Sequence, residues 1–320
     1  MKRLRFIDSN ILILASLFLI AGLVSPHFWT PENLLNVARA ASLIGIIAIG
    51  MNVVIITGGI DLSVGSVVAL VGALAASFTI LGLPIYATVF LTLAVAALVG
   101  LVNGSMVAHL GFQPFVATLV MMTIVRGVGL VYTDGQPIYV DYPPAIEFLS
   151  RGELLGLPVP AILFVLVTLV TWYVMRFRTI GRQMYTIGSN ERAACLAGVP
   201  VRRTKLIAYV YCSVLAGLSG LILTARMGSG EPGQAGVLWE LDAIAAVVIG
   251  GTALLGGRGS VWGAFVGALV IGILSNLFNL MGVDPEWQNV AKGAIILLAV
   301  LVPVARGWIG VNGDRGMRHG

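Results

Sequence analysis

The string "GGIDLSVG", residues 58–65, sets a carboxylate and a hydroxyl two positions apart between two long apolar runs. Paired glycines break a helix, and Asp61 and Ser63 can each cap the next one. The same groups can instead meet a solute, because a charge near a membrane interior is costly and marks function by default. Asn52, Asn103, Gln113, Asn276 and Asn279 are neutral hydrogen-bonding groups in or near other apolar runs. They suit the hydroxyls of a polar solute and suit bonds between helices equally well. Arg126 is expected to snorkel outward or to pair with Asp134 or Asp141, and Lys292 to snorkel. Asn52, Asp61, Ser63, Asn103, Gln113, Arg126, Asn276 and Asn279 are therefore the candidates for lining a translocation path.

Covalent and hydrolytic chemistry find little support. "GLSG", residues 217–220, matches the G-x-S-G pattern of intramembrane serine proteases, but Ser219 needs a base within hydrogen-bond reach. The three histidines, His27, His109 and His319, lie in a loop, at the end of an apolar run and in the tail. A small-residue packing face explains the motif better. The three lysines, Lys2, Lys205 and Lys292, never follow a glycine, so the GK step of a phosphate-binding loop is missing. Cys195 and Cys212 form neither a disulfide framework nor a CxxC metal pair. No catalytic residue, metal site or bound cofactor is expected in this chain.

The elements that must hold these groups are membrane helices. Of 320 residues, 58% are hydrophobic and 10% charged, against roughly 25% charged in soluble domains. Apolar runs near 20 residues without alternation favour helices over a barrel. Ten helical spans are expected, at 11–25, 40–57, 63–81, 85–109, 113–133, 158–178, 205–226, 241–256, 260–281 and 288–306, in one transmembrane domain covering 1–320. The first run resembles a secretory signal, but no A-x-A site follows it and it is expected to be retained. With both termini inside, 14 of the 19 basic residues fall on the cytoplasmic side and ten of the 14 acids, Glu240 and Asp242 among them, on the outer side. The net charge of +5 thus reports topology and not nucleic-acid binding. Residues 48–74 and 243–269 match at nine of 27 positions, a weak trace of the repeated halves common in transporters.

One stretch breaks the apolar pattern. "RQMYTIGSNERAACLAGVPVRRTK", residues 182–205, is polar and basic and carries helix signals. Ser189 or Asn190 can cap an N-terminus, Gly198 suits the position after a C-terminus, and Pro200 stops the helix. "ERAACLA" offers a narrow face of small residues. The segment is either a solvated loop touching anionic lipid or a docking helix.

Four blocks in order resemble one family. "AIGMNVVIITGGIDLSVGSVVAL" (48–70), "FVATLVMMTIVRGVGLVYTDGQPI" (115–138), "IGRQMYTIGSNERAACLAGVPVRRTK" (180–205) and "ELDAIAAVVIGGTALLGGRGSVWGAFVGAL" (240–269) are similar to permease subunits of bacterial sugar ABC transporters, ribose-type branch. The resemblance implies an all-α, type II ABC importer-like permease in the bacterial inner membrane, paired with a second permease copy or a related permease. It implies a cytoplasmic ABC ATPase that binds ATP and Mg, a periplasmic sugar-binding protein and a sugar substrate. It implies that 179–205 is the cytoplasmic coupling segment. Ser189, Asn190 and Gly198 would frame its helix, Ala193, Ala194 and Ala197 would form the docking face, and Glu191, Arg192, Arg202 and Arg203 would contact the ATPase at the rim. The ending "LVPVARGWIG" departs from the family, which often closes its last span with an acid. A permease for branched-chain amino acids or another small solute, and an ion-coupled secondary transporter, are the competing readings.

Overall fold

The computed structural model describes residues 2–295 and 297, with side chains from Asn10 onward. The chain runs through α1 (Lys2–Val24), a 3-10 turn (Pro26–Trp29), α2 (Pro31–Ile56), α3 (Val64–Ile80), α4 (Ile85–Ala108) and α5 (Pro114–Tyr132). It continues through β1 (Ile138–Tyr139), α6 (Pro144–Arg151), β2 (Glu153–Leu154), β3 (Leu157–Pro158), α7 (Val159–Phe177), α8 (Thr179–Ser189) and α9 (Glu191–Leu196). Then come α10 (Val201–Met227), β4 (Ser229–Gly230), α11 (Trp239–Ile249) and α12 (Val261–Leu280), and residues 285–295 are helical.

Among the described residues, each of the first nine apolar runs overlaps a helix, and the described part of the tenth, 288–295, is helical. Among the described residues, six helices are long and apolar enough to cross a membrane: α2, α4, α5, α7, α10 and α12. Residues 10–24 of α1 and helix α3 form shorter apolar helices. The eighth run departs most from expectation. Helix covers only Trp239–Ile249, and the chain before it is irregular. The latter part of the tenth run, 296 and 298–306, lies outside the described residues, as do Arg306, Arg315, Arg318 and His319.

Local chemistry sets the ends. Thr30 caps α2 by accepting from the Asn33 N–H, with Pro31 at the first helical position. Gly58, at φ +82°, ends the same helix; the Gly58 and Gly59 amides return to the Ile55 and Val54 carbonyls.

The core is built on α10, which packs against α2, α3 and α4 through small residues. A Cβ on Gly100 or Gly104 of α4 would run into the α10 backbone at Tyr209–Val210 or Leu206, and one on Gly220 would meet Val68 of α3. Close backbone approach replaces the hydrophobic drive that lipid removes. Ser219 is buried in this packing and donates to the Leu43 carbonyl at 3.0 Å. Its hydroxyl joins helices. Two short antiparallel pairings, β1 with β4 and β2 with β3, tie down the loops at the end away from α8 and α9.

Candidate functional site

Helices α8 and α9 sit at the basic end of the bundle. Gly188 of α8 has no room for a side chain, because a Cβ would collide with the Ile56 carbonyl and the Gly257 amide. The Gly257 N–H itself donates to Ile56 at 3.0 Å, and Tyr185 donates to the Gly259 carbonyl at 3.1 Å. The end of α2, helix α8 and the 250–260 loop therefore pack together as one platform.

On it stands α9, closed at both ends by the predicted devices. The Asn190 side chain accepts from the Ala193 N–H at 3.0 Å. Gly198 takes φ +77°, and the Gly198 and Val199 amides return to the Cys195 and Ala194 carbonyls at 3.0 Å each, a Schellman closure. Of the two capping candidates Asn190 fills the role, since the Ser189 hydroxyl donates backward to Tyr185. Lys205 of α10 fastens the helix with a 2.6 Å ion pair to Glu191.

The outward face differs from the expected one. Ala194, expected on the outward face, is instead fully buried against its own chain. Ala193, Cys195 and Ala197 are exposed with Arg192, Arg202 and Arg203, and Leu196 stands 91% exposed. Leu255, 93% exposed, projects from the platform loop at the same end. A six-residue helix of small side chains carries too little pattern for its phase to be read from sequence.

The polar candidates inside the bundle separate into unrelated places. Asp61, Ser63 and Asn103 come together. The Ser63 N–H and hydroxyl donate to Asp61 Oδ1 at 2.9 and 2.6 Å, and Asn103 donates to Ser63 Oγ at 2.8 Å and to Asp61 Oδ1 at 3.4 Å. Asn103 lies five residues before the end of α4, about 7 Å into the helix. The cluster is thus embedded below the basic end, not a cap at the surface. All three residues are fully buried among helices of this one chain. Among the described residues, Asp61 Oδ2, Asn103 Oδ1 and the Ser213 hydroxyl make no hydrogen bond of regular geometry, although the Ser213 hydroxyl lies close enough to Asp61 to interact with the carboxylate.

Because Asp61 is enclosed, Asp61→Asn is expected to keep uptake and melting temperature near wild type. It retains the acceptor oxygen and turns an N–H pair toward unpartnered acceptors. Asp61→Ala strands the buried donors of Ser63 and Asn103, and is expected to cost about 1–3 kcal/mol of stability, read as a lower melting temperature. A tenfold loss of uptake in a normally stable Asp61→Asn protein would return the residue to the path.

Asn52, also fully buried, accepts from the Thr252 hydroxyl at 2.7 Å and ties α2 to the platform loop. Asn276 and Asn33 exchange hydrogen bonds at 2.8 and 3.2 Å, joining α12 to the start of α2. Asn279 accepts from Gln288 at 2.9 Å. Gln113 stands exposed at the start of α5.

Arg126 neither snorkels nor pairs with Asp134 or Asp141. Its guanidinium donates to the Pro232 and Ala235 carbonyls at 2.7 Å each, with the Glu240 carboxylate beside it. Glu240 and Asp242, expected on the outer side, are buried at the start of α11. Lys292 does not snorkel either; it pairs with Asp242 at 2.9 Å. "EPGQAG", residues 231–236, was the available signal for the irregular chain leading into α11.

The chain is thus a bundle of apolar helices with a capped, outward-facing helix at its basic end. The family model described as the permease component of branched-chain amino acid transport systems matches residues 33–300, and the chain belongs to that family of multi-pass membrane permeases. It is 44% identical to the ribose import permease of Haemophilus influenzae, over 93% of each chain. It is 43% identical to the ribose import permease of Escherichia coli K12, over 92% of each. The galactofuranose transporter permease of Escherichia coli K12 is 38% identical over 93% of this chain and 88% of its own length. No solved structure matches the chain.

Proposed function

We propose that this chain is the pore subunit of an ATP-driven, binding-protein-dependent importer of ribose or a closely related sugar. The similarity to ribose import permeases carries the reading, since it spans more than nine-tenths of both proteins. About ten spans, with both termini and the α8–α9 platform in the cytoplasm of a bacterial inner membrane, follow the positive-inside rule. Two permease copies, or two related permeases, enclose the path. A cytoplasmic ABC ATPase binds ATP and Mg and receives α9 in a cleft. A periplasmic sugar-binding protein docks at the opposite end.

In this mechanism the permease supplies no chemical step. ATP binding and hydrolysis move the ATPase halves. The exposed rim of Leu196, Ala193 and Ala197, with Arg192, Arg202 and Arg203 around it, transmits that motion. The platform passes it on, because α8 is locked to the end of α2 and to the loop before α12.

A second reading, import of branched-chain amino acids, is favoured by the description of the family. The two are separated by purifying the chain with its co-encoded ATPase and binding protein and measuring solute-stimulated ATP hydrolysis. Ribose or a related sugar is expected to stimulate it. Stimulation by leucine or valine alone would support the second reading, and uptake driven by an ion gradient without ATP would contradict both.

A further inference from the structure

The irregular chain before the eighth span, residues 231–238, lies at a depth where lipid cannot be the neighbour of its backbone. Its depth follows from three contacts. Gly236 lies against the Gly65 backbone at the start of α3. The next residue, Ser66, donates to the Met122 carbonyl at 2.8 Å. Met122 is eight residues along α5 and ten from its end, about 12 and 15 Å respectively. Gly236 is therefore near the middle of the span. Above it the segment descends along α5, with Gly233 beside Leu130 and Pro232 beside Gly129, held by the two Arg126 hydrogen bonds.

One side of this segment is covered and the other is not. Pro232 and Gly236 are buried, whereas Gly233, Gln234, Val237 and Leu238 are exposed. Among the described residues, the amide N–H groups of Gly233, Gln234 and Leu238 make no hydrogen bond within the chain. Leu238 also holds a left-handed backbone, φ +63°. In hydrocarbon each unsatisfied group costs several kcal/mol, so irregular backbone at this depth is tolerated only inside protein or along a water-filled cavity. The break between α2 and α3 meets that rule by burial, since Asp61, Leu62 and Ser63 are enclosed. The 233–238 face cannot, so water or another protein surface must meet it.

We propose that this face, with Thr123 and Gly127 on the adjoining stripe of α5, lines a water-filled path for an uncharged, hydroxyl-rich solute. The inference rests on the transport reading and names which side of the chain conducts. The groups offered there are neutral: open backbone amides, the Gln234 amide and the exposed Thr123 hydroxyl oxygen, an acceptor whose hydrogen goes to the Leu119 carbonyl. The nearest charges are engaged elsewhere: Arg126 on carbonyls, Glu240 in the packing against Gly65, and half-buried Glu231 accepting from the Ser229 hydroxyl at 3.0 Å. A zwitterionic amino acid would find no fixed counter-charge on this wall, whereas sugar hydroxyls match donors and acceptors without one. Arg126 is a positioning residue behind the wall.

The test places a single new cysteine at Gln234 in a chain whose exposed Cys195 is serine, leaving buried Cys212 as an inert background. The permease is reconstituted in lipid nanodiscs, without ATP or sugar, and treated with a charged, membrane-impermeant methanethiosulfonate. Gln234→Cys is expected to react at least tenfold faster than Leu98→Cys on the exposed side of α4, and its modification to block sugar-stimulated ATP hydrolysis in the assembled complex. Thr123→Cys on α5 gives the same comparison should the first variant fold poorly. Reaction at both positions no faster than at Leu98 would overturn the proposal. Fast reaction in a complex that never responds to sugar would leave the wet face standing and sink the transport reading instead.

Discussion

Leu196→Glu is expected to abolish uptake while leaving a folded, inserted permease. Leu196 contributes nothing visible to its own fold, being 91% exposed on a helix whose ends are closed by Asn190 and Gly198. A large apolar side chain displayed on a capped helix is the form of an interface anchor. Truncating such an anchor costs about 2 kcal/mol or more, which is roughly 30-fold in affinity, and a buried carboxylate adds a desolvation penalty. ATP hydrolysis by the separated ATPase should persist while its sugar stimulation disappears. Normal melting temperature with lost stimulation is the expected pair of readings. Wild-type uptake would remove α9 from the coupling route. Ala194 is the wrong residue for this experiment. A bulky replacement there would break the packing of α9 itself and lose activity for a reason unrelated to docking.

Lys292→Met is expected to produce the largest loss of stability. It leaves Asp242 buried at the start of α11 without the cation that now sits 2.9 Å away. Removing one partner of a buried pair costs about 3–5 kcal/mol, because the remaining charge is uncompensated. The purified protein should therefore melt at a markedly lower temperature or fail to insert. The double variant Asp242→Asn with Lys292→Met removes both charges and should recover most of the loss, since apolar or neutral replacement of a whole pair is often close to neutral. A double variant as unstable as the single one would show that the pair has a role beyond mutual compensation. That role would be sought in the union of α11 with the helix at 285–295.

The sequence was most legible where structure is decided locally. Among the described residues the apolar runs overlap helices because a long apolar segment in lipid must satisfy its own backbone, and a helix does so within the segment. The closure of α9 was readable for the same reason, since Asn190 and Gly198 act within one turn of the helix they end. What stayed hidden depends on where distant chain goes. Arg126 could not be matched to the Pro232 and Ala235 carbonyls without knowing that 231–238 re-enters the bundle. Asp61 carries the same residue type whether it caps a surface helix or lies embedded, and only Asn103 of α4 and Ser213 of α10 reveal its depth. Glu240 and Asp242 were assigned to the outer side because acids at a span edge normally lie there. The Gly- and Pro-containing stretch just before them shifts the start of α11 to mid-depth. The weak 48–74 and 243–269 similarity covers two helix–break–helix units, α2 to α3 and α11 to α12, which meet through the Asn52–Thr252 and Ile56–Gly257 bonds.

The central claim is that motion enters this subunit from a cytoplasmic ATPase through α9. Cys195 offers a direct test because it is free and exposed on that helix. A maleimide photo-cross-linker attached to Cys195 in the assembled complex is predicted to give, on illumination, an adduct between the permease and the ATPase subunit. An adduct to the sugar-binding protein, or labelling of Cys195 from the binding-protein side of sealed vesicles, would contradict the account.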